Sequence, residues 1–280
     1  MTRCRESARA EPLAGTAPAA RWWWLIEVPG PWGRRAVEEC HVPVVRQLPS
    51  TPERRVVLVR RPGRHPATDP QAPLRVWICG SLPHDPPPRV AVVDQHADLL
   101  DWPASGPTDG LARPDPQAPL LAVCTNSSRD LCCGLDGRAL VGALTSAVTS
   151  SNDRVWECSH LGGHRFAPTA LLVGDGLVYG RLDAAVAQSL IDSGPTPSTA
   201  GHLRGRSCLP PAAQAAEAWL LAQGAHPDPL TADCENVGDR LQVTFADMPP
   251  VWLAPETGTP RPASCGGEAE TWSAWRVLGG

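Results

Sequence analysis

Thr169-Ala170-Leu171-Leu172-Val173-Gly174-Asp175-Gly176-Leu177-Val178-Tyr179 sets two short apolar runs on either side of a Gly-Asp-Gly turn. Glycine tolerates the positive φ that tight hairpin turns demand, so the stretch reads as two antiparallel strands. Working back toward the N-terminus, Arg154 to Cys158 and Leu120 to Cys124 are two further strand-like runs. Between them, Arg138 to Val148 carries Leu140, Val141, Leu144 and Val148 at helical spacing. On the other side of the hairpin, Asp183 stands where an N-cap belongs and opens a helix through Leu190. Strand and helix therefore alternate, close to β-α-β-β-β-α, and the fold class expected is α/β.

The flanks are less regular. Trp22 to Val28 reads as a buried strand ended by Pro29-Gly30-Pro31-Trp32-Gly33, and a helix is expected from about Arg34 to Arg46. Arg55–Val59, Leu74–Cys79 and Arg89–Val93 are β-rich, and Pro and Asp punctuation from Trp102 to Pro119 reads as a linker. After Gly194 the pattern predicts a helix over Pro211 to Ala222, begun by Pro210 and Pro211, and strands at Arg240–Phe245 and Trp272–Val277. The organisation expected is an N-terminal α/β region over residues 1–112, a central domain over 113–194 and a C-terminal helix and β appendage over 195–280.

Composition excludes several function classes. The net charge is -4 with a pI near 6.1, and the charges are scattered, so the basic stripe of a nucleic-acid binder is missing. No apolar run approaches the roughly 20 residues of a membrane span. The Ala-rich start lacks a continuous hydrophobic export core, so a cytoplasmic location is expected. Ten cysteines spread over such a chain fit reduced thiols and a metal site better than a disulfide scaffold. All 25 basic residues are arginine, which reads as coding bias rather than chemistry.

The chemistry is concentrated in Cys124 and Cys133, with eight residues between them, and in His160-Leu161-Gly162-Gly163-His164. The histidine spacing suits zinc, but structural zinc sites draw their cysteines from knuckles of two to four intervening residues. The wider loop suits an iron-sulfur cluster, and two cysteines with two histidines is the ligand set of a Rieske-type 2Fe-2S centre. Iron-sulfur is preferred, with zinc as the alternative. Two thiolates leave an oxidised 2Fe-2S centre formally neutral where four would leave it doubly negative, so a potential above that of an all-cysteine ferredoxin is expected. Each liganding imidazole keeps a second N–H, which can couple electron uptake to a proton.

Val123-Cys124-Thr125, Arg129-Asp130-Leu131-Cys132-Cys133, Val155 to Thr169 and Gly176-Leu177-Val178-Tyr179-Gly180-Arg181-Leu182 together resemble the sucrase/ferredoxin-like family. The resemblance extends to Trp24–Gly33 and Arg204–Pro211 and implies a thioredoxin-like ferredoxin domain, a pattern the strand and helix order also follows. It implies a 2Fe-2S cluster on Cys124, Cys133, His160 and His164, and it favours Cys133 over the adjacent Cys132. It also likens Pro168-Thr169 to the proline turn before the third thioredoxin strand, where a cis peptide is typical.

Cys158 is expected in the core, and Cys4, Cys40, Cys79, Cys208, Cys234 and Cys265 have no matched partner spacing. Arg129, Arg165, Arg181 and Arg204-Gly205-Arg206 read either as surface ion pairs or as groups orienting the cluster loop. Asn126-Ser127-Ser128 matches a glycosylation acceptor only formally. Three functions follow: an electron carrier meeting a protein donor or acceptor, a zinc-stabilised interaction protein, or a thiol oxidoreductase using Cys124, Cys132 or Cys133. The first is preferred, more a carrier than an enzyme.

Overall fold

Strands buried on both faces read as near-continuous apolar runs, and the centre of this molecule is built from them. A computed structural model describes residues 3–63, 66–108, 110–146 and 152–280. Its main sheet comprises β1 (Trp22–Glu27), β2 (Arg54–Arg60), β3 (Leu74–Gly80), β4 (Arg89–Val93), β5 (Arg113–Pro114), β6 (Leu121–Cys124), β7 (Val155–Cys158), β8 (Ala170–Leu172), β9 (Leu177–Tyr179) and β10 (Leu203–Arg206). Their spatial order is β10-β9-β8-β6-β7-β2-β1-β3-β4-β5. The fold is mixed α/β, as expected. The sheet runs through both positions where the sequence suggested boundaries, because β2 pairs with β7 and β10 pairs with β9.

The pairing pattern of the first half recurs in the second. β1 lies parallel to β2 and antiparallel to β3, which is antiparallel to β4. In the same way β6 lies parallel to β7 and antiparallel to β8, which is antiparallel to β9. The two four-stranded units meet through β2 and β7, antiparallel, with Val59 opposite Cys158 and Arg60 opposite Glu157. The order β9-β8-β6-β7 is thus followed by its reverse, β2-β1-β3-β4.

Parallel neighbours need a crossover connection. Between β6 and β7 it includes the helix Arg138–Ser146, close to expectation, while Val148 lies outside the described residues. Between β1 and β2 the expected helix is replaced by turns over residues 34–39 and a short 3-10 helix, Pro43–Gln47. Proline lacks an N–H and pushes the residue before it out of the α region, and Val42 is indeed extended (φ -87, ψ 113).

Period-two alternation sends Trp24, Ile26, Val56 and Leu58 into a core of the first unit and Leu121, Val123 and Val155 into a core of the second. Alternate residues of both units meet in a shared core. Trp23, Leu25, Val57, Val59, Trp77, Trp156, Cys158, Cys124 and Cys133 all belong to it. Trp77 and Trp156 touch there edge to face, centroids 5.0 Å apart.

Downstream, the helix Pro211–Ala222 occupies the predicted residues. It packs against a four-stranded antiparallel sheet of Asp233–Val237, Arg240–Thr244, Val251–Thr257 and Ser273–Gly279. The first of these is exposed throughout and shows no apolar run, and in the third the apolar Val251 to Ala254 is cut short by Pro255. No helix among the described residues is long and apolar enough to cross a membrane.

Candidate metal centre

Cys124 ends β6 opposite Cys158 of β7. Its N–H donates to the Thr169 carbonyl at 2.9 Å, and the Thr125 N–H donates to the Cys158 carbonyl at 3.1 Å. The chain then turns on Asn126, whose Oδ1 accepts from the Ser128 and Arg129 N–H groups at 3.1 and 3.3 Å, while Nδ2 donates to the Gly33 carbonyl at 3.0 Å. That amide is buried and committed, so the formal glycosylation acceptor is a turn residue.

Cys133 opens a π-helical turn, Cys133–Gly137, that runs into the helix Arg138–Ser146. Such turns gather at functional sites, and here the cause is visible in two glycines. A Cβ on Gly137 would stand 2.1 Å from the Cys124 carbonyl oxygen, and one on Gly134 would stand 2.4 Å from Cβ of Ser127. Without side chains there, the start of the helix closes against the strand end and brings Cys133 beside Cys124 in the shared core.

The histidine loop leaves β7 at Ser159, which is pinned to β2: its N–H donates to the Leu58 carbonyl at 2.8 Å and its Oγ accepts from the Leu58 N–H at 3.1 Å. Gly162 and Gly163 then take φ of +77 and +68, the left-handed region that a side chain disfavours. The loop doubles back, and the His160 and His164 rings stack with centroids 4.7 Å apart at 20°. The following Ala167–Pro168 bond is cis.

Arg204 on β10 holds this loop from behind. Its guanidinium is buried and donates to the Gly162 carbonyl at 2.9 Å, to Thr16 Oγ1 at 3.1 Å and to the Thr16 carbonyl. A Cβ on Gly163 would lie 2.6 Å from that guanidinium, whereas one on Gly162 would meet nothing within 4 Å. Both substitutions to alanine carry a backbone cost of about 1–2 kcal/mol, but Gly163→Ala must also displace Arg204. Chemical denaturation is expected to show Gly163→Ala as the more destabilising by at least about 1 kcal/mol, and equal losses would refute the packing argument.

The donor atoms are poised for a metal. The Cys133 thiol and His160 beside it hold Cys124 well below the ordinary thiol range, and burial opposes them. Cys133 is pushed the other way, chiefly by its hydrogen bond with Cys124 and then by burial. Burial, reinforced by His160, lowers His164 to about 4, which leaves its ring neutral near pH 7 with a free lone pair. Nδ1 of His160 and Nδ1 of His164 are both buried without a hydrogen-bond partner. Two unpartnered imidazole nitrogens beside two buried sulfurs are a donor set that fits a metal or cluster.

The structure thus brings Cys124 beside Cys133 and stacks His160 on His164, with His160 reaching Cys124. Cys158 is buried and its Sγ contacts the Ala122 carbonyl at 3.5 Å. Cys132 turns away from Cys133. Its sulfur lies 3.6 Å from that of Cys4 and 3.4 Å from that of Cys265, and among the described residues Cys4, Asp130, Cys132 and Cys265 form a group able to hold a metal ion.

The arginines also separate by role. Arg165 pairs with Glu11 at 2.6 Å, and Arg181 donates to the Ala8 and Glu11 carbonyls, so both are structural. Arg129 instead lines a cavity of about 590 Å³ that reaches His160, together with Arg34, Arg46 and Arg55. Arg204, which the sequence left open between a surface ion pair and a group orienting the cluster loop, holds the histidine loop through Gly162, whereas Gly137 and Ser159 were missed, their only signals being a glycine at a helix start and a serine before a histidine.

No curated protein and no solved structure matches the chain. The profile described as sucrase/ferredoxin-like matches residues 13–205, a span that contains both four-stranded units, the two cysteines, the two histidines and Arg204. On that match the chain belongs to the sucrase/ferredoxin-like family.

Proposed function

We propose that the protein is a cytoplasmic electron carrier holding a 2Fe-2S cluster on Cys124, Cys133, His160 and His164. The observation that carries the reading is the pair of buried, unpartnered Nδ1 atoms on stacked histidines, set beside the two buried thiols of Cys124 and Cys133. The ligands come as two pairs, which suits a centre of two irons better than a single ion. When bound, the cluster supplies a one-electron couple.

The chain's own residues do the rest. Cys124 and Cys133 sit where water is excluded, while Gly162 and Gly163 let the loop double back so that the two rings stack, and a ring that ligates through one nitrogen keeps the other to hold a proton. His160 is half-buried and borders the arginine-lined cavity. A donor or acceptor protein presenting carboxylates meets the centre there, drawn by Arg34, Arg46, Arg55 and Arg129. The order β6, helix, β7, β8, β9, helix supports a thioredoxin-like frame.

Anaerobic purification is expected to give red-brown protein with iron and sulfide in equal amounts and an electron paramagnetic resonance signal on reduction. Cys124→Ser with Cys133→Ser is expected to abolish iron, sulfide and signal together. Iron-free, colourless wild type after cluster reconstitution would defeat the proposal.

A further inference from the structure

The three thiols of Cys4, Cys132 and Cys265 form a nearly equilateral triangle, with sulfur separations of 3.6, 3.4 and 3.6 Å. They come from distant parts of the chain: the short N-terminal helix Cys4–Ser7, the loop before the π-helical turn, and the turn after Arg261–Pro262. Asp130 stands over the triangle with its two carboxylate oxygens 3.7 and 3.9 Å from the Cys4 sulfur. Its oxygens also accept from the backbone N–H groups of Cys132 and Cys265, each at 2.8 Å. All four donor atoms lie within 4.8 Å of one another.

We infer that Cys4, Cys132, Cys265 and Asp130 form a structural zinc site, separate from the cluster ligands. A tetrahedral zinc with bonds of about 2.3 Å to sulfur holds its sulfurs roughly 3.8 Å apart, a short outward step from the separations here. A disulfide needs its sulfurs at about 2.05 Å and would leave the third thiol unpaired, whereas one ion satisfies all three. Thiols are weak hydrogen-bond donors, so three of them gathered on one carboxylate are poorly served by each other. The triangle is also too tight to surround an iron-sulfur cluster. Soft thiolates with one carboxylate select zinc among the abundant divalent ions.

The two backbone N–H bonds fix the Asp130 carboxylate over the sulfurs, as outer-shell donors do for metal-bound carboxylates. Around the site, Arg3 and Arg5 reach Asp136 at 3.0 and 2.9 Å, and Arg261 donates to the Ser7 carbonyl at 2.9 Å. Cys132 immediately precedes Cys133. Zinc therefore fastens both remote segments to the loop that carries Cys133, a ligand in the proposed cluster reading, without itself holding Cys133.

Metal content of protein purified under reducing conditions without chelator tests this, because zinc and iron are read separately. One zinc per chain is expected. Cys4→Ser with Cys265→Ser should lose it while retaining iron and visible absorption, and Cys124→Ser with Cys133→Ser should lose iron and keep zinc. Wild type that takes up no zinc, zinc that survives in the Cys4/Cys265 variant, or zinc that disappears with Cys124 and Cys133 would each overturn the site. If the first double variant fails to fold, Cys265→Ser alone, altered at the half-buried edge, decides the matter by chelator competition. A zinc affinity reduced by more than the ~10–100-fold of an outer-shell change is expected, and an unchanged affinity refutes the assignment.

Discussion

His164→Cys is expected to keep a cluster and lower its midpoint potential by on the order of 100–300 mV, about half the separation between two-histidine and all-cysteine centres because one of two imidazoles is exchanged. Exchanging a neutral imidazole for a thiolate adds one negative charge to a site that is already dry, which disfavours taking up an electron. The same exchange removes a ring N–H, so the potential should also vary less with pH between about 6 and 9. Protein-film voltammetry across that range measures both. The local geometry favours retention, since His164 lies at the start of a short 3-10 turn and its ring is buried against His160. A potential and a pH slope identical to wild type would remove His164 from the ligand set.

Arg204→Met is expected to have the next largest effect. Its guanidinium is 2 % exposed, and its hydrogen bonds go to neutral oxygens of Gly162 and Thr16. Burial pulls its proton affinity down, Arg165 and Arg55 add to that, and Cys133 and Cys124 oppose it. Cys124 and Cys133 are thus the anionic groups that this buried cation faces, and in the proposed centre they are cluster ligands. A unit charge within about 10 Å at an effective dielectric near 20 is worth roughly 1.5 kcal/mol or more, which is on the order of 60 mV for a one-electron couple. Arg204→Met should lower the potential by about that much and destabilise the fold by about 1–3 kcal/mol through the stranded carbonyls. Arg204→Lys should recover most of the potential and less of the stability, because it restores charge without the fork. Loss of stability with no shift in potential would make Arg204 a packing residue only.

What was legible in the sequence was local. Gly174-Asp175-Gly176 forms its hairpin between β8 and β9, Asp183 accepts from the Val186 N–H at 2.8 Å as an N-cap, and Pro211–Ala222 is a helix. Each depends on neighbours a few residues away. The proposed ligands Cys124, Cys133, His160 and His164 were readable for the same reason, lying within two short loops. For Arg204 the sequence left both a surface ion pair and a role in orienting the loop open, because its partners Thr16 and Gly162 stand 188 and 42 residues off. The thiol triangle was equally hidden: Cys4 and Cys265 are 261 residues apart, and with no matched spacing they were expected only to be structural or incidental. The helix expected over Arg34–Arg46 followed from composition, and Pro43 overrode it.

The antiparallel seam between β2 and β7 gives the chain a character its linear order conceals: it is arranged as a homodimer fused into one polypeptide. A protein made of one four-stranded unit alone would leave the outer edge of that strand bare, with a row of unpaired amides, and a second copy would close it isologously. The two units are not equivalent. Where the second unit follows its first strand with the cysteine loop, the first unit follows β1 with Pro29-Gly30-Pro31-Trp32-Gly33, whose last carbonyl holds Asn126 at 3.0 Å. One four-stranded unit carries Cys124 and the histidine loop, while the other supplies Gly33 to the wall beside them.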